Sequence, residues 1–146
     1  MTDFDSLKQT KAQCLRDITE ALPDYVNRLN SIDTRLLTYI DDAISGNASH
    51  ANLMELLGIR KEMRLMDSYD LDPERVKRSL RAIEGQWQGG RHVKGGLRFS
   101  TPRGSQHVRL MPFQAWLIFE IYAFKVDVPM EREYHEGDML LPTEWV

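Results

Sequence analysis

Leu110-Met111-Pro112-Phe113-Gln114-Ala115-Trp116-Leu117-Ile118-Phe119-Glu120-Ile121-Tyr122-Ala123-Phe124 is the most apolar stretch of the chain. The proline suits the first position of a helix, where its missing N–H would have no partner anyway. Apolar residues fall on nearly every side of such a helix, which predicts that it is buried rather than laid on a surface. It is shorter than the roughly 20 apolar residues needed to cross a bilayer. Gln114 and Glu120 interrupt it. The Gln114 amide carries both a donor and an acceptor, the pair that an adenine edge requires. The same amide can instead satisfy the orphan backbone groups of its own helix end.

Upstream, apolar residues recur at helical spacing. Phe4, Leu7, Cys14, Leu15, Ile18 and Leu22 predict an amphipathic helix over residues 3–22, ended by Pro23. Tyr25, Val26, Leu29 and Ile32 predict a short second helix. Asp33 is a good N-cap for a third, carrying Leu36, Leu37, Ile40 and Ile44, with Gly46-Asn47 as its stop. Ser49 is a candidate cap for a fourth helix reaching about Asp67. Its apolar face is Leu53, Leu56, Leu57, Met63 and Met66, and its exposed face Arg60, Lys61, Glu62 and Arg64. Asp72-Pro73-Glu74 opens a fifth with an N-cap aspartate, a proline and a first-turn carboxylate. In that helix Val76, Leu80 and Ile83 point inward, and Gly85 stops it.

From Gly85 the period changes. Residues 85–96 read as a glycine-rich loop, with Gly89-Gly90 and Gly95-Gly96 able to offer backbone amides to a phosphate. No G-x-x-x-x-G-K-[ST] loop occurs in the chain, and the surroundings are not those of a dinucleotide fingerprint. Residues 97–99 and 107–110 alternate in the manner of strands around a turn at 100–105, so a short hairpin or two bridged strands leads into the apolar helix. The fold class is therefore mainly α: a helical bundle over 1–84, then a mixed segment over 85–146 that begins an α/β domain. Leu140, Leu141, Trp145 and Val146 have no following element to pack on, so the expectation is that this segment is incomplete.

The chain has 146 residues, enough for one ordinary domain, and a net charge of −3 that disfavours a wholly basic coat. The charge is unevenly distributed. Arg75, Lys77, Arg78, Arg81, Arg91, Lys94, Arg98, Arg103 and Arg109 are opposed between residues 74 and 109 only by Glu74 and Glu84, with Trp87, His92 and Phe99 interleaved. Cations among planar rings are the ingredients of a nucleic-acid surface. A solvated face balanced by acidic residues elsewhere is the competing reading. The single Cys14 excludes an intramolecular disulfide and a cysteine-only zinc site, and His50, His92, His107 and His135 lack metal-ligand spacing. The polar, acidic start has no apolar stretch behind it, which predicts a cytoplasmic protein without a membrane partner.

The order of several short motifs resembles the N-terminal region of tailed-phage terminase large subunits. The residues are Tyr39 with Ala43-Ile44-Ser45-Gly46, the helix through Arg60, and Asp72-Pro73-Glu74. They continue with His92-Val93-Lys94-Gly95-Gly96, the apolar pair Leu97 and Phe99, and Leu110-Met111-Pro112-Phe113-Gln114 with its helix ending near Tyr122. The resemblance spans roughly residues 35–125. It implies ATP-driven packaging of viral DNA as the parent activity. It also implies Gln114 as an adenine contact positioned by Pro112 and Phe113, and DNA, other terminase subunits or a portal protein as partners. The sequence departs from that pattern in a longer 100–109 segment, in Phe113 where tryptophan is frequent, and in ending before the expected Walker A loop. Without that loop, the Walker B carboxylates and the nuclease residues, the expectation is weak ATP binding at most, no Mg²⁺ held by this chain alone, and no catalysis. The alternative is a small non-catalytic DNA- or protein-binding module using the basic segment 75–109, with Arg91, Lys94, Arg98 and Arg103 touching the partner.

Overall fold

The computed structural model describes residues 3–45 and 52–125, with side chains in the first helix described from Asp5 onward. The fold is mainly helical. Helix α1 (Asp3–Ala21) runs through a single 3-10 turn (Leu22–Asp24) into α2 (Val26–Ile32), α3 (Thr34–Ile44), α4 (Leu53–Ser68) and α5 (Pro73–Glu84). Two antiparallel hairpins follow, β1 (Gln86–Gln88) with β2 (Arg91–Lys94) and β3 (Arg98–Thr101) with β4 (Gly104–His107). Helix α6 (Pro112–Tyr122) comes last.

The capping chemistry sets the helix starts. Asp33 accepts a hydrogen bond from the Arg35 amide at 2.9 Å, and Asp72 one from the Arg75 amide at 3.2 Å, so both expected caps are in place. Helix α4 starts later than the sequence predicts. Its cap is Asn52, whose side chain accepts from the Glu55 amide at 2.8 Å while Glu55 accepts from the Asn52 amide at 3.2 Å. Ser49, Gly46 and Asn47, the expected cap and stop residues, lie outside the described residues, as do His50, His135 and residues 126–146.

One core runs through the described residues. Cys14 and Ile18 of α1, Leu36 and Ile40 of α3, Leu56 and Ile59 of α4, and Val76 and Leu80 of α5 meet Trp116 and Phe119 of α6. The secondary structure changes character at residue 84, but the apolar interior does not stop there. Trp116 stacks on Tyr39 of α3 with ring centroids 5.2 Å apart, and the Arg75 guanidinium of α5 lies 5.1 Å from the Tyr122 ring. Beyond α6, the Asp72 amide donates to the Ala123 carbonyl at 2.6 Å and the Lys125 amide to the Asp70 carbonyl at 3.0 Å, which closes the start of α5 against the chain leaving α6.

Helix α6 is not buried all round. Ala115, Trp116, Phe119 and Ala123 face the core, whereas Phe113, Leu117 and Ile121 form an outward line at four-residue spacing, Ile121 being 64% exposed. Among the described residues the helix meets neighbours on one side only, so there its uniform apolarity is not matched by uniform burial. Glu62 departs in the opposite direction. Expected on the exposed face of α4, it is 4% exposed.

The glycine-rich segment is not an open loop but the β1–β2 hairpin. Gly89 and Gly90, with φ of 57° and 78°, make its two-residue turn, a geometry that needs positive φ at both positions. Gly85 and Gly96 lie backbone against backbone: a Cβ on Gly85 would fall 2.5 Å from the Lys94 carbonyl oxygen, and one on Gly96 2.5 Å from the Gly85 nitrogen. The second hairpin turns more tightly than the sequence suggested, with Thr101 opposite Gly104. The Thr101 hydroxyl accepts from the Arg103 amide at 3.1 Å and donates to the Gly104 carbonyl at 2.7 Å, which closes the turn over Pro102 and Arg103.

Candidate nucleic-acid interface

The paired hairpins stand together at the end of α5. Residues 86–107 hold Arg91, Lys94, Arg98 and Arg103 and no carboxylate, in a chain whose overall charge is negative. All four cations proposed from the sequence therefore sit on one substructure. Arg91 and Lys94 lie on β2, Arg98 on β3, and Arg103 at the β3–β4 turn. The side chains of Arg91, Lys94 and Arg103 have no ion-pair or hydrogen-bond partner among the described residues. Arg98 donates from Nε to the Ser105 hydroxyl at 3.0 Å. Val93, Leu97 and Phe99 are exposed between them.

A column of planar groups links the hairpins to the bundle. The His92 and His107 rings stack with centroids 3.5 Å apart and an interplanar angle of 6°. The His92 and Trp87 rings meet perpendicular to one another with centroids 5.5 Å apart, and the Arg109 guanidinium lies 4.9 Å from the Trp87 ring. Burial, together with His92 and Arg98 nearby, pushes the His107 pKa down, so the stack favours at least one neutral ring. Other members of the basic segment have structural tasks. Arg75 covers Tyr122, Lys77 lies 3.4 Å from Glu74, and Arg109 is held by Trp87 and, at 3.6 Å, by Glu84.

Beneath the hairpins lies an ion network that sequence reading missed. The Arg35 guanidinium donates to both Asp33 oxygens at 2.9 Å, to the two Glu84 oxygens at 2.6 and 2.8 Å, and to the Leu110 carbonyl at 3.0 Å. Glu84 also accepts from the Leu110 amide at 2.7 Å. The network ties the start of α3 to the end of α5 and to the approach of α6. Burial alone would raise Glu84 and Asp33, but the hydrogen bonds from Arg35, with the Leu110 amide added at Glu84, outweigh it and hold both below their ordinary values. Arg35 itself is pushed further toward its charged form by the same carboxylates. One signal was available: an arginine in the first turn of a helix opposes the helix dipole and calls for compensation.

A cavity of about 460 Å³ opens over this network, between α2, α3, α5 and β1. Asn30, Thr34, Lys77, Arg81, Trp87 and Arg109 are among the residues that line it.

The motif around Gln114 is arranged differently from an open adenine site. Gln114 lies in the first turn of α6, and its Oε1 accepts from the Met111 amide at 2.8 Å, so its acceptor closes its own helix end. Pro112 fills the first helical position and Phe113 is about half exposed beside it. Among the described residues no group of three or more His, Cys, Asp or Glu side chains could hold a metal ion, and no helix is long and apolar enough to cross a membrane.

Comparison of the chain with protein families, with curated proteins and with solved structures finds no match.

Proposed function

We propose that the chain is a non-catalytic nucleic-acid-binding module whose contact surface is the pair of hairpins. The observation that carries this reading is the concentration of Arg91, Lys94, Arg98 and Arg103, without a carboxylate, within residues 86–107 of an acidic chain. Cations that neutralise phosphates release counterions, so affinity should fall steeply with salt. Exposed Phe99 and Leu97 add apolar surface among the charges. The test is fluorescence anisotropy of a labelled oligonucleotide titrated at several salt concentrations. Replacing all four cations by alanine should weaken binding and reduce the slope of log affinity against log salt by about 0.7–0.9 for each phosphate no longer neutralised. An unchanged slope would remove the hairpins from the interface.

A second reading follows from the order of motifs that resembles terminase large subunits. In it the chain belongs to the front of an ATP-driven packaging motor, with Gln114 near adenine, Pro112 and Phe113 positioning it, and DNA and a portal or other terminase subunit as partners. One observation favours it: the Gln114 amide nitrogen has no partner among the described residues, which leaves a donor beside half-exposed Phe113. ATP affinity would be on the order of millimolar, since a phosphate cradle is missing from the described residues. Gln114→Ala and Gln114→Glu separate the roles. Both should reduce ATP binding by calorimetry if the amide meets adenine, whereas only alanine removes the cap. ATP binding indifferent to both substitutions would eliminate the adenine contact.

A further inference from the structure

We infer that the cavity between α2, α3, α5 and β1 receives one unstacked nucleotide of a single strand, so that the surface selects single strands over duplex. The inference rests on the nucleic-acid reading above and gives it a substrate class. Three observations lead to it.

The first is position. The cavity borders Gly85 and Trp87, where the first hairpin leaves α5, and Gln88 next along β1 is paired with Arg91 of β2. Arg91 thus belongs to the same hairpin as Trp87, which joins the cation-bearing strands to the cavity lining.

The second is charge. Arg35, Lys77, Arg81 and Arg109 line the cavity against only Asp33 and Glu84. Both carboxylates are engaged by Arg35 on the floor. Lys77 and Arg81 are four residues apart on α5 and so share one face of it, and the Arg81 side chain has no partner among the described residues. Lys77 shares its charge with Glu74 at 3.4 Å and Arg109 with Glu84 at 3.6 Å, so Arg81 is the lining cation left to meet an anion of phosphate class, with Lys77 beside it.

The third is the match to a base. The cavity is an open groove of about 460 Å³, roomy enough for a base to lie in it without being enclosed. Trp87 supplies an aromatic wall held by its indole N–H, which donates to the Glu84 carbonyl at 2.7 Å. Asn30, from α2, adds an amide with donors and an acceptor to the lining. A base paired inside a duplex cannot enter such a recess, whereas an unpaired base can be splayed out and stacked.

The experiment uses the whole chain and a fluorescein-labelled oligonucleotide of about 20 nucleotides, alone and annealed to its complement, at one fixed salt concentration. Wild type should bind the single strand at least about tenfold more tightly than the duplex. Lys77→Ala/Arg81→Ala, with folding verified by circular dichroism, should bring the two affinities within about twofold of each other. Because Trp116 and Trp145 also emit, Trp87→Phe provides a second measurement: single-strand quenching of tryptophan emission should be largely lost in it. Equal wild-type affinity for both nucleic acids, or a preference and quenching unchanged in these variants, would overturn the cavity assignment while leaving the hairpin surface standing. Weakened binding in the four-cation hairpin variant with the preference intact in the cavity variant would identify that case. A wild-type chain that binds neither nucleic acid would overturn both.

Discussion

A guanidinium has five N–H donors, and in Arg35 all five are engaged by Asp33, Glu84 and the Leu110 carbonyl. The side chain is mostly withdrawn from solvent, and both carboxylates depend on it for most of their hydrogen bonds. Arg35→Ala should cost about 2–3 kcal/mol in a urea denaturation series, because it leaves buried Glu84 with only the Leu110 amide and the more distant Arg109. The pH dependence has a fixed sign. Glu84 and Asp33 have lowered folded pKa values, so their contribution is fully present above their ordinary values of 4.5 and 3.8 and is lost as pH falls through the folded ones. Glu62 acts oppositely. Burial first, then Glu120 on α6, pushes it up to about 7, with Lys61 only partly opposing. Its Oε1 has no hydrogen-bond partner in the interior. The protein therefore binds the Glu62 proton more tightly than the unfolded chain does, and stability should decline as pH rises from about 4.5 to about 7. Glu62→Gln should flatten that decline and stabilise the protein at about pH 8 by on the order of 2 kcal/mol, read from denaturation midpoints at about pH 5 and about pH 8. An equal effect at both pH values would place the Glu62 charge elsewhere.

The elements were legible in the sequence where local rules acted alone. Asp33 and Asp72 announced their helices because a cap is a contact between near neighbours. The alternation at 97–99 and 107–110 announced the second hairpin, although its strands fall at Arg98–Thr101 and Gly104–His107 and residues 108–110 are not strand. Long-range contacts were illegible. Nothing near Glu62 in sequence indicates that α6 brings Glu120 beside it, and Arg35 and Glu84 meet across 49 positions. The glycine-rich segment was misread for a related reason. Two pairs of glycines read as freedom, but Gly85 and Gly96 are there because two backbones touch. Gly96→Ala should therefore destabilise the protein by about 2 kcal/mol or more, from the clash with Gly85 and from its φ of +77°. Gly89→Ala meets no atom within 4 Å and suffers only the cost of its φ of +57°, so thermal denaturation should rank it clearly milder. The candidate cations were legible as a composition bias. Their assembly on two hairpins, with no carboxylate intervening, needed the strand pairings.

At the scale of the whole molecule, α6 closes the core that α1 and α3 through α5 leave open, and it does so with one face only. Apolarity all round was the clearest signal in the chain, and among the described residues half of it is used, because composition reports what a helix can bury and not how many neighbours it has. The line of Phe113, Leu117 and Ile121 contributes little to the core, so Leu117→Lys should alter stability by no more than about 0.5 kcal/mol in chemical denaturation.

Cys14 is fully enclosed in that core, and burial raises its thiol pKa. It is also the chain's single sulfhydryl. A thiol reagent cannot reach it in the closed molecule, so the labelling rate becomes a stopwatch for transient opening rather than a measure of reactivity. With an aromatic disulfide reagent, colour should develop at least about a thousandfold more slowly in native protein than in urea, and the lag should shorten in proportion to each destabilising substitution. The molecule thus carries a chemical meter of its own cohesion, with no label to install.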